Sequence, residues 1–210
     1  MPPIDLDPIK DYFAGKLETY GATPRGVDWN SETSQEARFE QLARIIRNPA
    51  EPYSLIDYGS GFGSFYDYLV SKGHRLTFYG LDIVETMVTE GRRLHADVPD
   101  CHFTTEEAEL PVCDYAVASG IFNIKLDATQ EAWTEYVVGL LSRINALTSK
   151  GFSFNLLTSY SDADRMRPDL YYADPCFFFD YCKRHFARNV AVLHDYGLYD
   201  FTVLVRKELG

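Results

Sequence analysis

The sequence has no CxxC pair, no HExxH run and no other metal-ligand spacing among its 4 cysteines and 5 histidines, so no metal centre is expected. It has no apolar run long enough to span a bilayer, which argues against a membrane-embedded chain. The first residues, Met-Pro-Pro-Ile-Asp-Leu-Asp, lack the basic-then-apolar order of an export signal. Cys101, Cys113, Cys176 and Cys182 therefore read as free thiols, and the expected compartment is the reducing cytoplasm. Positive charge is scarce. Lys and Arg total 20 against 31 Asp and Glu, a net charge of -11, and such a chain repels a phosphate backbone on average. That balance argues against a nucleic-acid partner. There is no internal repeat and no low-complexity tract.

What the chain does have is enough apolar residue for a core. At 210 residues, 46% hydrophobic and 15% aromatic, it fits one globular domain. The expected division is a helical N-terminal extension over residues 1–50 and a core over 51–210.

The core is organised around residues 53–63, Tyr-Ser-Leu-Ile-Asp-Tyr-Gly-Ser-Gly-Phe-Gly. Ser54, Leu55 and Ile56 lead in as a buried strand, and Asp57 falls at its end. Gly59, Gly61 and Gly63 alternate, and then Phe62, Phe65, Tyr66, Leu69 and Val70 recur at helical spacing. Strand, glycine turn and helix form the first βα unit of a nucleotide-binding sheet. Ser64 stands where a dinucleotide fingerprint needs Gly or Ala, so the motif is D-x-G-x-G-x-G. A second strand, Arg75 to Leu81, ends on Asp82, 25 residues after Asp57. An acid there can accept bonds from both ribose hydroxyls, or it can cap the next helix.

Before this core, Asp7-Pro8 opens a helix with Ile9, Tyr12, Phe13, Leu17 and Tyr20 on one face. Thr33-Ser-Gln-Glu36 has the form of a capping box for a second helix. After Asp82 the pattern gives a helix with Met87, a short strand at 101–104, a strand at 113–118, a long helix from Thr129, and a strand at 151–157. A polar, aromatic loop from Thr158 to Pro175 precedes a last helix. An antiparallel hairpin closes the chain, with strands at 189–193 and 201–205.

On the Asp57–Gly63 motif and Asp82, the sequence resembles the class I S-adenosylmethionine-dependent methyltransferases over Tyr53 to Lys207. It resembles more closely a bacterial group carrying stretches like residues 21–31, 118–123 and 171–175. The resemblance implies an α/β, Rossmann-like seven-stranded mixed sheet of order 3-2-1-4-5-7-6. Strand 7 is antiparallel, and helices cover both faces. It implies S-adenosylmethionine as cofactor and S-adenosylhomocysteine as product. The implied cofactor contacts are Asp57, Gly59, Ser60, Gly61, Phe62, Asp82, Ile83, Met87, Glu106, Ser119, Gly120 and Ile121, with Glu107 the rival to Glu106 for the adenine amino group.

The acceptor is expected to be a small molecule methylated at oxygen. Ser119-Gly-Ile-Phe122 replaces the Asn-Pro-Pro-Tyr type of motif that accompanies amino methylation of nucleic acids. A peptide or protein acceptor, including a terminal carboxylate, is the alternative enzyme. A non-catalytic nucleotide-binding protein is the alternative from another class. Candidate acceptor contacts are Trp29, Asn123, Arg165, Arg167, Tyr171 and Tyr172, with ordinary packing or solvated surface as the competing role for each. Arg25 and Arg38 are further anion-binding candidates. His194 and Tyr160 are the candidate bases, with Asp174 a rival. A monomer or homodimer is expected.

Overall fold

The structure is a computed structural model that describes residues 4–29 and 31–207. Helices α1 (Asp7–Tyr20) and α2 (Glu32–Ala43) come first. Strand β1 (Tyr53–Tyr58), helix α3 (Ser64–Ser71), strand β2 (Leu76–Leu81), helix α4 (Glu85–Leu94), and strands β3 (Cys101–Thr104) and β4 (Cys113–Ala118) follow. The second half runs α5 (Gln130–Ala146), β5 (Thr148–Thr158), β6 (Tyr172–Ala173), α6 (Pro175–His185), β7 (Asn189–Leu193) and β8 (Asp200–Arg206).

The sheet has the order β3-β2-β1-β4-β5-β8-β7, and β8 runs antiparallel to both neighbours. This is the expected order and the expected antiparallel strand. The difference is an eighth strand inside the stretch read as irregular. The β4–β5 pairing ends at Phe154, but β5 continues to Thr158. Its open edge at Leu157 and Thr158 pairs in parallel with Tyr172 and Ala173.

Period-2 alternation distributes the strands between two apolar layers. Leu55, Tyr115, Val117 and Leu204 face α2, α3 and α4, packing with Phe39, Leu42, Phe65, Leu69 and Val88. Ile56, Tyr58, Ala116, Ala118 and Val203 face α5 and α6, packing with Trp133, Val137, Leu141 and Phe178. Because both faces are covered, the parallel strands read as nearly continuous apolar runs. Thr129 caps α5 as expected, its side chain accepting from the Ala132 N–H. The cap of α2 lies earlier than the Thr33–Glu36 pattern predicts. Ser31 is itself a strong cap residue, and its Oγ accepts the Ser34 N–H at 3.2 Å.

The N-terminal extension lies on the carboxyl side of the sheet. Phe13, Ala14, Leu17 and Val27 pack against Phe62, Val84 and Met87 behind the glycine loop.

Candidate active site

The turn after β1 is built by backbone geometry that only glycine holds without strain. Gly59, Gly61 and Gly63 have φ of +73°, +54° and +101°. At Gly59 a Cβ would lie 2.0 Å from Ile121 Cγ2, so the loops after β1 and β4 approach more closely than any side chain allows.

Asp82 ties this loop to the end of β2. Its Oδ2 accepts the Gly61 N–H at 2.8 Å and its Oδ1 accepts the Val84 N–H at 2.9 Å. Val84, not Asp82, occupies the cap position of α4. Each carboxylate oxygen keeps a free lone-pair direction. Asp57 and Asp82 are both buried. Burial pushes the Asp82 carboxyl up to about 6, although both backbone donors oppose that shift. Asp57 is raised well above the ordinary carboxylate range by burial and by the neighbouring charge of Asp82.

A cavity of about 460 Å³ opens over these groups, between the carboxyl ends of β1, β2 and β4 and the N-terminal extension. Six buried side-chain polar atoms lack a hydrogen-bond partner among the described residues. Four of them, Arg38 Nε, Asp57 Oδ1, Tyr58 Oη and Ser119 Oγ, belong to residues lining this cavity. Buried polar groups are normally satisfied, so orphans concentrated in one cavity mark a ligand site. The charges are also uneven. The cations in the wall are each matched: Arg38 to Asp200 at 2.5 Å, Arg143 to Glu107 at 3.1 Å, and Arg167 to Asp169. Among the described residues, no cation contributes to the Asp57 or Asp82 environment. One end of the cavity is thus anionic and suits a cationic ligand bearing vicinal hydroxyls.

The structure brings many of the expected residues together. Asp57, Gly59, Ser60, Gly61, Asp82, Ile83, Met87, Ser119, Gly120 and Ile121 line the cavity, as do Trp29, Asn123 and Arg167. Phe62 instead sits behind the loop, buried against Val84 and Met87. Glu106 is exposed and outside the wall, whereas Glu107, held by Arg143, lies in it. Tyr171 is buried with its hydroxyl bonded to Thr134, and Tyr172 Oη accepts the Arg167 N–H. Arg165 and Arg25 are exposed and do not line the cavity. His194 and Tyr160 likewise lie outside the wall. They form an exposed aromatic pair, ring centroids 6.2 Å apart, beside the turn between β7 and β8. Asp174 caps α6.

Tyr58, Gln35, Tyr136 and Arg143 are wall residues that the sequence reading did not place. Tyr58 follows Asp57 directly, so alternation turns it to the opposite face, towards α5. Tyr136 and Arg143 are seven apart on α5, a spacing of two helical turns that puts them on one face.

No family model matches the chain. A curated protein of Mycobacterium tuberculosis, "Putative methyltransferase Rv1506c", is 46% identical over 164 residues, covering 78% of this chain and 98% of that protein. The chain belongs to the methyltransferases. Solved structures of low identity agree on the fold of this methyltransferase. The magnesium protoporphyrin IX methyltransferase ChlM of Synechocystis, with bound SAH, superposes with a TM-score of 0.68 at 15% identity, covering 97% of this chain and 100% of that one. The 1,6-didemethyltoxoflavin-N1-methyltransferase of Burkholderia thailandensis, with bound 1,6-didemethyltoxoflavin and S-adenosylhomocysteine, does so at 0.64 and 19%, covering 95% and 87%. Among the described residues, no helix of the methyltransferase is long and apolar enough to cross a membrane.

Proposed function

We propose that this methyltransferase binds S-adenosylmethionine over the carboxyl ends of β1 and β2 and methylates an oxygen atom of a small molecule. The observation that carries the reading is Asp57 Oδ1, buried and unpartnered beside the glycine turn, with Asp82 close by. The residues present fit the cofactor. Asp57 suits the methionyl ammonium, and the free lone pairs of Asp82 suit the ribose hydroxyls. Ile83, which is 40% exposed, offers an apolar shelf for the base, and Glu107 in the wall suits the base amino group better than Glu106. The unpaired carboxylates favour the positive sulfonium and ammonium groups.

When bound, the cofactor supplies a methyl group already activated for displacement. The chain's own residues bind, align and exclude water. The glycine turn and the Ser119–Ile121 loop hold one reactant. The described part of the N-terminal extension acts as a lid: Ile9, Phe13, Trp29 and Arg38 line the cavity from its side. A concave cavity of about 460 Å³, partly roofed by the extension, supports a small acceptor over an extended peptide. Among the described residues, no histidine lines it. A weakly acidic hydroxyl that enters neutral can release its proton to solvent as the methyl group is transferred, and so needs no histidine in the wall.

The test is calorimetry with S-adenosylmethionine, S-adenosylhomocysteine and NADH on the wild type and on Asp82→Ala. Binding of both sulfur nucleotides, weakened in the variant, is expected. No binding to folded protein, or binding of NADH instead, refutes the reading. Acceptors are then sought as compounds that gain one methyl group by mass spectrometry.

A further inference from the structure

The donor half of the cavity carries unbalanced negative charge; the half roofed by the N-terminal extension does not. There Arg38 pairs with Asp200, Arg167 with Asp169, and Asp28 with Lys16 at 2.7 Å. The remaining polar wall groups in this half, Gln35 and Asn123, are neutral, and Asn123 Oδ1 already accepts the Leu157 N–H at 3.3 Å. A charged acceptor entering here would shed part of its hydration without finding an uncommitted counter-charge, which is costly.

One donor in this half remains unused. The Arg38 guanidinium is fixed on three sides. One Nη donates to the Ser34 carbonyl at 2.8 Å, the other to Asp200, and its plane lies 4.3 Å over the Trp29 ring. Its Nε–H is buried and has no partner among the described residues. A buried donor attached to a charged group is expensive to leave unpaired, so its partner should arrive with a ligand. The pair with Asp200 cancels the charge of Arg38 but not the directionality of that N–H.

Resting on the methyl-donor reading above, we infer that Arg38 is a specificity-determining residue for the acceptor. Through Nε–H it takes a neutral oxygen of an uncharged, largely apolar molecule. Trp29, stacked on Arg38, and Ile9, Phe13 and Ile124 elsewhere in the wall supply the apolar contact. Arg165 and Arg167 are set aside as acceptor contacts, and Arg38 is a donor to a neutral oxygen rather than a binder of an anion. Arg165 is outside the cavity, and Arg167 is matched by Asp169.

The test uses matched probes on the full chain saturated with S-adenosylhomocysteine: benzamide against benzoate, methyl 4-hydroxybenzoate against 4-hydroxybenzoate, and indole-3-carboxamide against indole-3-carboxylate. Ligand-observed NMR reads their binding. The neutral member of a pair should bind more tightly than the anion. Arg38→Lys keeps a cation opposite Asp200 but removes Nε–H, so it should weaken the neutral probe by about tenfold or more while leaving S-adenosylhomocysteine affinity unchanged. If that variant does not fold, the double variant R38M/D200N, which removes both buried charges together, serves the same reading. Preference for the anions, binding of neither member at millimolar concentration, or equal binding to Arg38→Lys and wild type would overturn the inference. Failure of S-adenosylhomocysteine itself to bind the wild type is a separate result and would overturn the donor site on which the inference rests.

Discussion

The edge of the Trp29 indole rests on Gly120: a Cβ at Gly120 would lie 2.5 Å from Trp29 Cη2. This contact joins the N-terminal extension to the loop after β4, and a chain of polar contacts closes the circuit behind it. Gly120 N–H donates to Asn155 Oδ1 at 2.8 Å, Asn155 Nδ2 donates to Asp200 Oδ1 at 3.1 Å, and Asp200 pairs with Arg38, which stacks on Trp29. Gly120 also has φ of +74°. Gly120→Ala therefore meets both backbone strain and a rigid aromatic ring. The strain alone costs on the order of 1 kcal/mol. Displacing Trp29 should lower kcat/KM by about tenfold or more, because small misplacements are costly in a group-transfer site. Steady-state kinetics with an identified acceptor, beside a melting curve, checks this. Unchanged kcat/KM would show that Trp29 does not shape the reacting geometry.

Asp57 separates stability from function. It is buried, and one of its oxygens is unpartnered, so its charge burdens the free protein. Asp57→Asn removes that charge at nearly constant volume. The expected outcome is a melting temperature equal to or above wild type at neutral pH. S-adenosylmethionine affinity should nevertheless fall by about tenfold or more, the worth of a hydrogen bond between charged groups. Calorimetry and thermal unfolding on one preparation test both halves. A stabilised variant that still binds at wild-type affinity would remove Asp57 from the donor site.

The pH dependence follows from Asp82. Burial raises its carboxyl from 3.8 to about 6 in the free protein. A carboxyl raised on folding holds its proton more tightly in the folded state. It therefore favours the fold at low pH, and that contribution is lost as pH climbs between those two values. A cationic ligand reverses the preference by favouring the ionised form. S-adenosylmethionine, with its sulfonium, should gain affinity as pH rises through about 6, and should gain more than S-adenosylhomocysteine does. Titrations of both ligands at several pH values between 5 and 8 check the sign. Affinities that are flat in pH, or that rise towards acid, contradict it.

Much of this site was legible because its chemistry is local. Asp57, the three alternating glycines and Asp82 sit at strand ends, where a short apolar run gives way to loop residues, and period-2 patterning fixes those ends. Residues that reach the cavity across long sequence separations were not legible as a group. Arg38 meets Asp200 across 162 residues, and only packing of α2 against the end of the sheet brings them together. Glu107 differs from Glu106 by one position in an acidic run, so its selection depends on the three-residue 3-10 turn Glu107–Glu109 and on Arg143. His194 is the converse case. A histidine at a predicted strand end has the right titration range, but His194 lies exposed just after β7 and does not line the cavity.

His194 and Tyr160 accordingly give a direct test. Both are exposed, and neither lines the cavity. His194→Ala and Tyr160→Phe should retain activity within about twofold of wild type, since surface substitutions away from such features change little. A loss of orders of magnitude in either variant, with folding intact, would place the acceptor on the β7–β8 side of the sheet and move the reacting centre there.

The Arg38–Asp200 pair is the last and most quantitative case. The side chain of Asp200 is 0% exposed and that of Arg38 is 11% exposed, so both charges depend on each other rather than on water. Burial raises the Asp200 carboxyl, and Arg38 opposes that rise. Removing one partner strands the other. Asp200→Asn or Arg38→Met alone should each destabilise the protein by about 3–5 kcal/mol, the range for breaking a buried pair. The double variant R38M/D200N removes both charges and should recover most of that loss, so the two effects will not add. Denaturant unfolding of the four proteins closes the cycle. Strictly additive losses would mean that the two groups stabilise the fold independently, and the circuit from Trp29 through Asp200 to Gly120 would then not act as a unit.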